Sequence, residues 1–417
     1  MSGDHLDVAL YAGIVVRRDA VSWSVLHKLN VFRRLIAMGA PIRVTCFAQS
    51  IEDLGPELVC CPSVAKLLGR SAFWDADVHI YEEGMYYELF DSIHVVPEGR
   101  PILAIEHNST PVELIDVPGM RLAVERSHAQ RRNLLRADHV ACVSEFNLEM
   151  ARAAGVPEEK LSVLHLPAAI VPSGPVRRLV DHEGPLRLLY LGRFVRAKGI
   201  LDMLELARRL LTDDDRFQIT LAGDPRFSDP AIMDEIERTV AESRGRVEVA
   251  WAPDDAETAR LYERCDALVV PSYHEGYCVP VVEAYGFERF VIAYDQGNIP
   301  NVVGGLGLTV ACGDVGALEA AVREFARALC PERSNSLALP TGLGDLAFSD
   351  WVDRVARHLA DYSAAAFERT FLGLLHELAA SSPSGLGPVM GRAIEDRLRE
   401  VAGFEKGSAA LRLGPRG

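Results

Sequence analysis

The chain has 417 residues, of which 49% are hydrophobic, with a mean hydropathy of +0.07, a net charge of −15 and a pI of about 5.3. This length predicts two domains, and the hydrophobic content excludes an intrinsically disordered chain. The acidic charge argues against a general nucleic-acid-binding protein, which needs a basic surface. Eight cysteines without a CxxC spacing predict reduced core thiols in a cytoplasmic protein.

Strand and helix patterns alternate through the first half of the chain. Strands are predicted over 8–16, 41–48, 76–82, 100–107 and 138–144, with helices over 22–39 and 121–137. Such alternation predicts βαβ units and a parallel sheet. The first apolar run follows two aspartates and is too short to span a bilayer, so neither a secretory signal nor a membrane span is expected.

The pattern restarts after a Pro- and Gly-rich stretch at 171–185, the best linker in the chain and a candidate hinge. Strands are predicted over 186–193, 217–223, 267–272 and 290–295, and helices over 199–211, 256–265, 281–287, 317–329 and 350–380. The predicted organisation is a first α/β domain at 1–175, a second at 186–345, helices at 346–384 that are candidates to cross back, and a tail at 385–417. The tail is expected to form one short helix near 390–402 and then fray.

The stretch LYLGRFVRAKG, at 189–199, is a strand that runs into a loop carrying Arg193 and Lys198. In parallel α/β sheets, ligands bind at the carboxyl ends of the strands, beside the N-termini of helices. An arginine fork, a lysine point charge and a helix N-terminus suit a pyrophosphate. The alternative is two solvated surface cations.

The stretch PSYHEGYCVPVVEA, at 271–284, places Glu275 and Glu283 among Gly, Pro and apolar residues. A buried carboxylate is unfavourable without a partner, so a ligand is expected to supply the partners. A carboxylate accepts hydrogen bonds from a vicinal diol, and Gly276 allows close backbone approach. The alternative is a capping loop followed by one exposed helical glutamate.

The segments GRFVRAKG (192–199) and EGYCVPVVEA (275–284), in this order, resemble the signature of retaining glycosyltransferases of family 4, which have the GT-B fold. The resemblance extends to 221–225, 262–272 and 293–310, and in the first half to 104–111 and 137–167. It implies two Rossmann-like α/β domains that face each other across a cleft. Residues 1–175 would form the acceptor side and 186–345 would bind the nucleotide sugar.

The resemblance also implies roles for individual residues of the second half. Arg193 and Lys198 would bind the donor's pyrophosphate and neutralise charge on the leaving nucleoside diphosphate. Glu283 would hold the ribose hydroxyls, and Glu275 would contact the transferred sugar. The remaining donor-site residues implied by the resemblance are Gly276, Tyr277 and Cys278, through their amides, and Gly223, near the base.

In the first half, the resemblance implies that His107 lies across the cleft, near the donor sugar and the acceptor, and that Gly13, after the first strand, approaches the phosphates. Some positions depart from the family pattern. The loop after the first strand has one glycine where many members have more, and Cys278 stands where many have glycine. Asn301 replaces a frequent glutamate, and LHLPAAI (164–170) replaces a Pro-Asn-Gly turn.

No catalytic metal and no cofactor besides the donor is predicted. Asp75 and Asp77 mimic the Asp-x-Asp metal motif of another glycosyltransferase fold, but capping or turn chemistry is favoured for them. Asp213, Asp214 and Asp215 are interpreted as a solvated loop.

The helix at 121–137 carries five arginines, which suits either an anionic membrane surface or an ordinary solvated face. Residues 1–180 hold 18 Lys and Arg against 22 Asp and Glu, and this balance favours the solvated face.

The predicted activity is retaining transfer of a hexosyl group from a GDP- or UDP-sugar to a hydroxyl of a cell-envelope or lipid-linked glycan. A small natural-product acceptor, a phosphorylase-like reaction and a non-catalytic partner subunit remain alternatives. A nicotinamide-dependent dehydrogenase is excluded, since no GxGxxG follows the first strand of either half. The sugar, the base, the acceptor and the oligomeric state stay open.

Overall fold

The computed structural model describes residues 5–381 apart from 18, 53, 116, 213–215, 227 and 330–336, together with 392 and 394–401. The chain divides into two compact units. The first unit contains the described residues of Met1–Ser109, Ala123–Leu166 and Ser363–Gly417, and the second those of Thr110–Leu122 and Pro167–Tyr362.

The first unit is built on a seven-stranded parallel sheet with the order β3-β2-β1-β4-β5-β6-β7. The strands are β1 (Leu6–Val15), β2 (Ile42–Ile51), β3 (Leu58–Cys60), β4 (Val78–Glu83), β5 (Ile102–Glu106), β6 (His139–Cys142) and β7 (Leu161–Val163). The strand order reverses between β1 and β4, so the carboxyl ends of β4 and β5 lie beside a topological switch point.

The helices that accompany this sheet are α1 (Ala20–Ala37), α2 (Val64–Leu68), α3 (Ser71–Asp75), α4 (Pro118–Gln130) and α5 (Glu145–Ala153). Helix α1 begins where the Asp19 carboxylate accepts a 2.8 Å hydrogen bond from the Ser22 amide. It gives way to Gly39, whose φ of 89° lies in the left-handed region. Stacked aromatic rings, including Tyr11 and Tyr81, fill the core beneath β1 and β4.

The second unit has a six-stranded parallel sheet with the order β10-β9-β8-β11-β12-β13. Its strands are β8 (Leu186–Leu191), β9 (Phe217–Gly223), β10 (Val247–Trp251), β11 (Ala267–Val270), β12 (Phe290–Tyr294) and β13 (Leu308–Val310), followed by an antiparallel hairpin of β14 (Ala338–Thr341) and β15 (Gly344–Ala347). The order reverses between β8 and β11, the position at which ligands bind in open α/β sheets.

Its helices are α6 (Ile200–Leu211), α7 (Pro230–Glu242), α8 (Asp255–Arg264), α9 (Val279–Gly286), α10 (Ile299–Val303), α11 (Val315–Ala328) and α12 (Phe348–His358). Near-continuous apolar strands such as β12, every residue of which is buried, are typical of a parallel sheet covered on both faces. The predicted class, two parallel α/β sheets, is confirmed.

Two details of the predicted elements are wrong. The single helix predicted at 350–380 is two helices, α12 and α13 (Ala364–Ser381), separated by a 3₁₀ turn at Leu359–Tyr362. The break is stabilised by the Ser363 hydroxyl, which accepts a 3.0 Å hydrogen bond from the Ala366 amide. Gly13, expected in a loop, lies within β1.

Other predicted segments fall partly or wholly outside the described residues. Residues 394–401 are helical, inside the segment where a short helix was predicted. The frayed end and the three aspartates at 213–215 lie outside the described residues. In the part of the chain that the structure describes, no helix has both the length and the apolar content to cross a membrane.

Candidate active site

The loops that follow β8 and β11 are held together by a glycine. Gly199 has a φ of 67°, and a Cβ at this position would lie 1.7 Å from the Pro271 carbonyl oxygen. The Tyr273 amide also donates a 2.9 Å hydrogen bond to the Ala197 carbonyl. Only glycine permits this approach, which packs the loop of Lys198 against the loop of Glu275 at the switch point.

Lys198 and Glu275 form an ion pair across these loops, with 2.8 Å between Nζ and Oε1. The Ser272 hydroxyl donates a second hydrogen bond of 2.8 Å to the same carboxylate oxygen. Glu275 is 8% exposed, so this is a largely desolvated carboxylate. The expectation that a ligand supplies its partners is wrong, because the protein provides a cation and a hydroxyl.

The backbone of the Glu275 loop is fixed by the turn after β12. The Glu275 carbonyl accepts a 2.9 Å hydrogen bond from the Asn298 amide, and a Cβ on Gly297 would lie 2.4 Å from the same oxygen. The Asn298 side chain donates to the Tyr277 carbonyl at 3.0 Å. Cys278 has a φ of 75°, a left-handed conformation that explains why glycine suits this position. These contacts give the 275–278 loop a single well-supported shape.

Glu283 lies within α9 and is 4% exposed, which excludes the alternative of an exposed helical glutamate. Its Oε2 accepts a 2.9 Å hydrogen bond from the Tyr262 hydroxyl, and its Oε1 accepts one of 3.1 Å from the Ile170 amide. Here too the protein supplies the partners that were expected from a ligand. Burial nevertheless raises the pKa of this carboxyl to about 7, although both hydrogen bonds act in the opposite direction.

Gly223 ends β9 where no side chain fits. A Cβ at this position would lie 2.0 Å from the Gly192 carbonyl oxygen and 2.8 Å from the ring of Phe194. Arg193, between these two contact residues, is exposed, and its carbonyl accepts a 2.9 Å hydrogen bond from the Tyr190 hydroxyl. Arg193 and Gly223 therefore share one edge of the sheet with Lys198. The phosphate and base contacts assigned to them stay predictions.

His107 and Gly13 belong to the first unit. His107 follows β5, and its Nε2 lies 2.7 Å from Glu82 Oε2. Gly13 faces Tyr87, since a Cβ on Gly13 would lie 3.1 Å from the Tyr87 Cβ. The glycine is thus explained by packing inside the first unit, and its predicted approach to phosphates stays a prediction.

Asp77, the second member of the Asp-x-Asp mimic, has structural partners. It accepts a 3.0 Å hydrogen bond from the Asp7 amide and forms an ion pair with Arg100, while Asp75 ends α3. These contacts of Asp77 are with a neighbouring strand and an arginine, and the capping or turn chemistry favoured for the two aspartates stays a prediction. Across the described residues, no group of three or more His, Cys, Asp and Glu side chains is arranged to hold a metal ion.

Several residues that shape the site were missed from the sequence. They are Gly199, Gly297 and Asn298, which fix the loops, and Tyr262, Ser272 and the Ile170 amide, which bind the carboxylates. The glycine directly after Lys198 was a visible signal for a left-handed turn. The contacts of Tyr262 and Ile170 join segments far apart in the sequence and have no local signal.

A protein-family model described as "Glycosyl transferases group 1" matches residues 185–327. Alpha-maltose-1-phosphate synthase of Mycobacterium tuberculosis is 32% identical over 143 residues, which cover 32% of this chain and 36% of that protein. The O-antigen chain mannosyltransferase B of Escherichia coli is 27% identical over 165 residues, covering 39% and 42%. The chain thus spans less than half of the length of these curated relatives.

Solved structures extend the likeness over both units. A glycosyltransferase from Rickettsia africae ESF-5 has a TM-score of 0.63 at 14% identity, covering 89% of this chain and 98% of that one. The sucrose-phosphate synthase of Thermosynechococcus elongatus has a TM-score of 0.61 at 19% identity, covering 90% and 99%. At such identities the likeness concerns the fold. Residues 185–327 are therefore similar to the group 1 glycosyltransferases, and the two parallel α/β units have the GT-B fold.

Proposed function

We propose that this chain is a retaining, metal-independent hexosyltransferase of family 4. It would transfer sugar from a GDP- or UDP-sugar to a hydroxyl acceptor. The observation that carries the proposal is the Lys198–Glu275 pair, a cation and a desolvated carboxylate 2.8 Å apart at the switch point of the matched unit. A diphosphate needs a cation, and a sugar ring needs a carboxylate that accepts hydrogen bonds from its hydroxyls.

The donor would lie along the carboxyl edge of the six-stranded sheet. Lys198 and the exposed Arg193 would take the diphosphate, and Glu275 would contact the sugar together with the amides of Gly276, Tyr277 and Cys278. Glu283 would accept hydrogen bonds from the ribose diol, with Gly223 close to the base. The tight contacts around Gly199 support this assignment, because they keep the phosphate-binding and sugar-binding loops in register.

The proposed reaction needs no covalent intermediate with the protein. The bond between the anomeric carbon and the phosphate oxygen breaks, and the acceptor oxygen bonds to that carbon on the same face. The acceptor's proton passes to the departing phosphate oxygen, so no additional base is required. Lys198 and Arg193 would stabilise the negative charge that develops on the diphosphate, the role that a metal ion plays in other enzymes.

The proposed acceptor is a cell-envelope or lipid-linked glycan, used by a cytoplasmic enzyme. Two relatives support this choice by name: the O-antigen chain mannosyltransferase B of Escherichia coli, and the GDP-mannose:cellobiosyl-diphosphopolyprenol alpha-mannosyltransferase of Xanthomonas campestris, which is 26% identical over 185 residues. His107, with Gly13, would serve the acceptor side. The alternative acceptor is a hydroxyl group of a small natural product.

The first experiment is thermal melting of the full chain with UDP, GDP, ADP, dTDP and their sugars, in the presence of EDTA. A ligand at 100 times its Kd stabilises the folded state by about 2.7 kcal/mol. We expect one nucleotide family to raise the melting temperature, and Lys198→Met to remove that rise. No rise with any nucleotide would contradict a donor site in this chain and favour a non-catalytic partner subunit.

A further inference from the structure

His107 ends a buried chain of polar groups in the first unit. Its Nε2 lies 2.7 Å from Glu82 Oε2, and Glu82 Oε1 lies 2.9 Å from the Nζ of Lys28 on α1. The Ser24 hydroxyl donates to Glu82 Oε2 at 3.2 Å and also contacts Lys28 Nζ. The Lys28 and Glu82 side chains have no exposed surface, so the ion pair is fully desolvated.

The surroundings of Lys28 keep this pair dry. The rings of Phe367 and Phe371, on α13, lie 5.8 Å and 5.9 Å from its Nζ. Burial raises the pKa of Glu82, but Lys28 and the hydrogen bond with His107 outweigh that effect and leave it below its usual range. Glu82 is therefore an anion that accepts hydrogen bonds, and the ring nitrogen of His107 that faces it must carry a proton.

The backbone on both sides of His107 is equally constrained. Its amide donates a 2.9 Å hydrogen bond to the Glu83 carbonyl, and a Cβ on Gly84 would lie 3.5 Å from the His107 Cβ. The next residue, Asn108, has a φ of 70°, and its side chain accepts a 3.1 Å hydrogen bond from Arg131. Among the described residues the second ring nitrogen, Nδ1, has no hydrogen-bond partner, and the His107 side chain is 5% exposed.

We propose that Glu82 and Lys28 are positioning residues for His107, holding its ring as the Nε2–H tautomer so that the Nδ1 lone pair faces a substrate hydroxyl. Glu82 fixes the tautomer and the ring plane of His107. Lys28 keeps Glu82 ionised, so the proton between the two groups stays on His107 Nε2. This inference rests on the proposed function, because it assigns His107 a sugar hydroxyl as its partner. The class of partner follows from chemistry, since an imidazole lone pair accepts a hydrogen bond.

Other charged groups lie near this chain. Glu83 on β4 lies opposite Glu106 on β5 in the register of the sheet. Arg131 donates a 2.9 Å hydrogen bond to Glu106. Burial raises the pKa of both carboxyls, to about 7 for Glu83, with Arg131 opposing the rise. Because these groups also titrate, the test reads the His107 ring directly rather than a pH profile of activity.

The experiment is nitrogen NMR of protein labelled with ¹⁵N-histidine, with the His107 signals assigned by their loss in His107→Gln. We expect the Nε2 signal of a protonated ring nitrogen and the Nδ1 signal of an unprotonated one. Glu82→Gln should weaken this preference, because an amide can either donate to or accept from Nε2. Lys28→Met should instead move both His107 signals, because Glu82 loses its ion pair and His107 becomes its main partner.

Removing one charge of a buried pair can prevent folding, so the double variant Lys28→Met/Glu82→Gln is included, which leaves no buried charge unpaired. The matched control is Glu57→Gln, which breaks another ion pair to α1, that with Arg33 at 2.6 Å, and should leave the His107 signals unchanged.

The activity arm measures nucleotide release from the UDP- and GDP-sugars of the melting panel. In the double variant we expect kcat to fall about 10- to 100-fold, with the nucleotide-induced rise in melting temperature retained.

An Nδ1–H tautomer in the wild-type protein, or His107 signals that Glu82→Gln and the double variant leave unchanged, would overturn the proposal. The proposal would also be overturned if the double variant lost both its turnover and its nucleotide-induced rise in melting temperature, because that result indicates general damage to the protein. Unchanged turnover despite a changed tautomer would show that the buried pair is only structural. If the wild-type protein turned over no sugar, the proposed function would fail, and the positioning role with it, even if the tautomer were as expected.

Discussion

Glu283 allows a test of whether the charge on this carboxylate lowers folding stability while it strengthens nucleotide binding at the proposed donor site. Its carboxyl is 4% exposed and its pKa is raised to about 7 by burial. The substitution Glu283→Gln keeps the size of the side chain and removes the charge. The new amide oxygen can accept from the Ile170 amide, while the amide nitrogen donates to the Tyr262 hydroxyl, which turns to the Pro280 carbonyl 3.3 Å away.

The size of the effect follows from the two pKa values. A carboxyl with an ordinary value of 4.5 that titrates at about 7 in the folded state loses about 3 kcal/mol of folding stability on full ionisation. The unfolded chain releases its proton first as the pH rises through 4.5, so the loss begins there and is complete above pH 7. We expect Glu283→Gln to stabilise the unliganded protein by about 3 kcal/mol at pH 8 and by less than about 1 kcal/mol at pH 5.

Calorimetry of the full chain at the two pH values gives the first measurement, with a rise of about 2–4 °C expected per kcal/mol for a unit of this size. Hydrogen exchange in peptides from 279–294 shows whether the unit that contains Glu283 is the one stabilised. The exposed Glu263 provides the control, because Glu263→Gln removes a carboxylate that is not buried and should leave the melting temperature unchanged. An equal effect of Glu283→Gln at pH 5 and pH 8 would refute the argument from burial. Nucleotide affinity should fall in the same variant, since an uncharged amide is a weaker acceptor for the ribose diol.

Three further predictions concern the second unit. Lys198→Ala and Glu275→Ala should each abolish sugar transfer and lower stability by only about 2 kcal/mol, because the pair is not fully buried, and wild-type turnover by either would contradict the site. Gly199→Ala should destabilise the unit by more than about 2 kcal/mol and prevent nucleotide binding, whereas Gly174→Ala, with open space around the new methyl group, should be neutral in the same melting assay. Asp266→Ala should cost about 3–5 kcal/mol in urea denaturation, because this buried carboxylate binds the linker residues 177 and 182. An unchanged midpoint would exclude it as an anchor of the linker.

Much of the fold could be predicted because parallel sheets have a strong local signal. Strands such as β9 and β12 are short apolar runs, and their buried faces leave little choice of structure. The split of the 350–380 helix was missed because its only local sign is Ser363, one polar residue in a long periodic pattern. The resemblance placed Gly13 after the first strand, although the strand predicted at 8–16 contains it, and its position within β1 is fixed by pairing with β2 and packing against Tyr87.

The positions of the candidate site residues in the fold were more predictable than their partners. Both motifs lie at strand ends, where the topology of a parallel sheet brings loops together, so Lys198 and Glu275 could be expected to be neighbours. Their contact in the absence of a ligand could not, because it depends on Gly199 allowing the two backbones to touch. The same holds in the first unit, where nothing local to His107 indicates the buried Lys28 and Glu82 behind it.

Glu275 and Glu283 look alike in the sequence, but the structure gives them different partners. Glu275 is paired with a cation, so under the proposed function a diphosphate that attracted Lys198 would also release Glu275 toward the sugar. Glu283 accepts hydrogen bonds from the neutral Tyr262 hydroxyl and Ile170 amide, and burial is the largest cause of its raised pKa. A ribose diol would add two donors to that carboxylate and stabilise its charged form. Binding of the proposed donor would therefore change both carboxylate environments at once, by drawing Lys198 toward the diphosphate and by adding hydroxyl donors to Glu283.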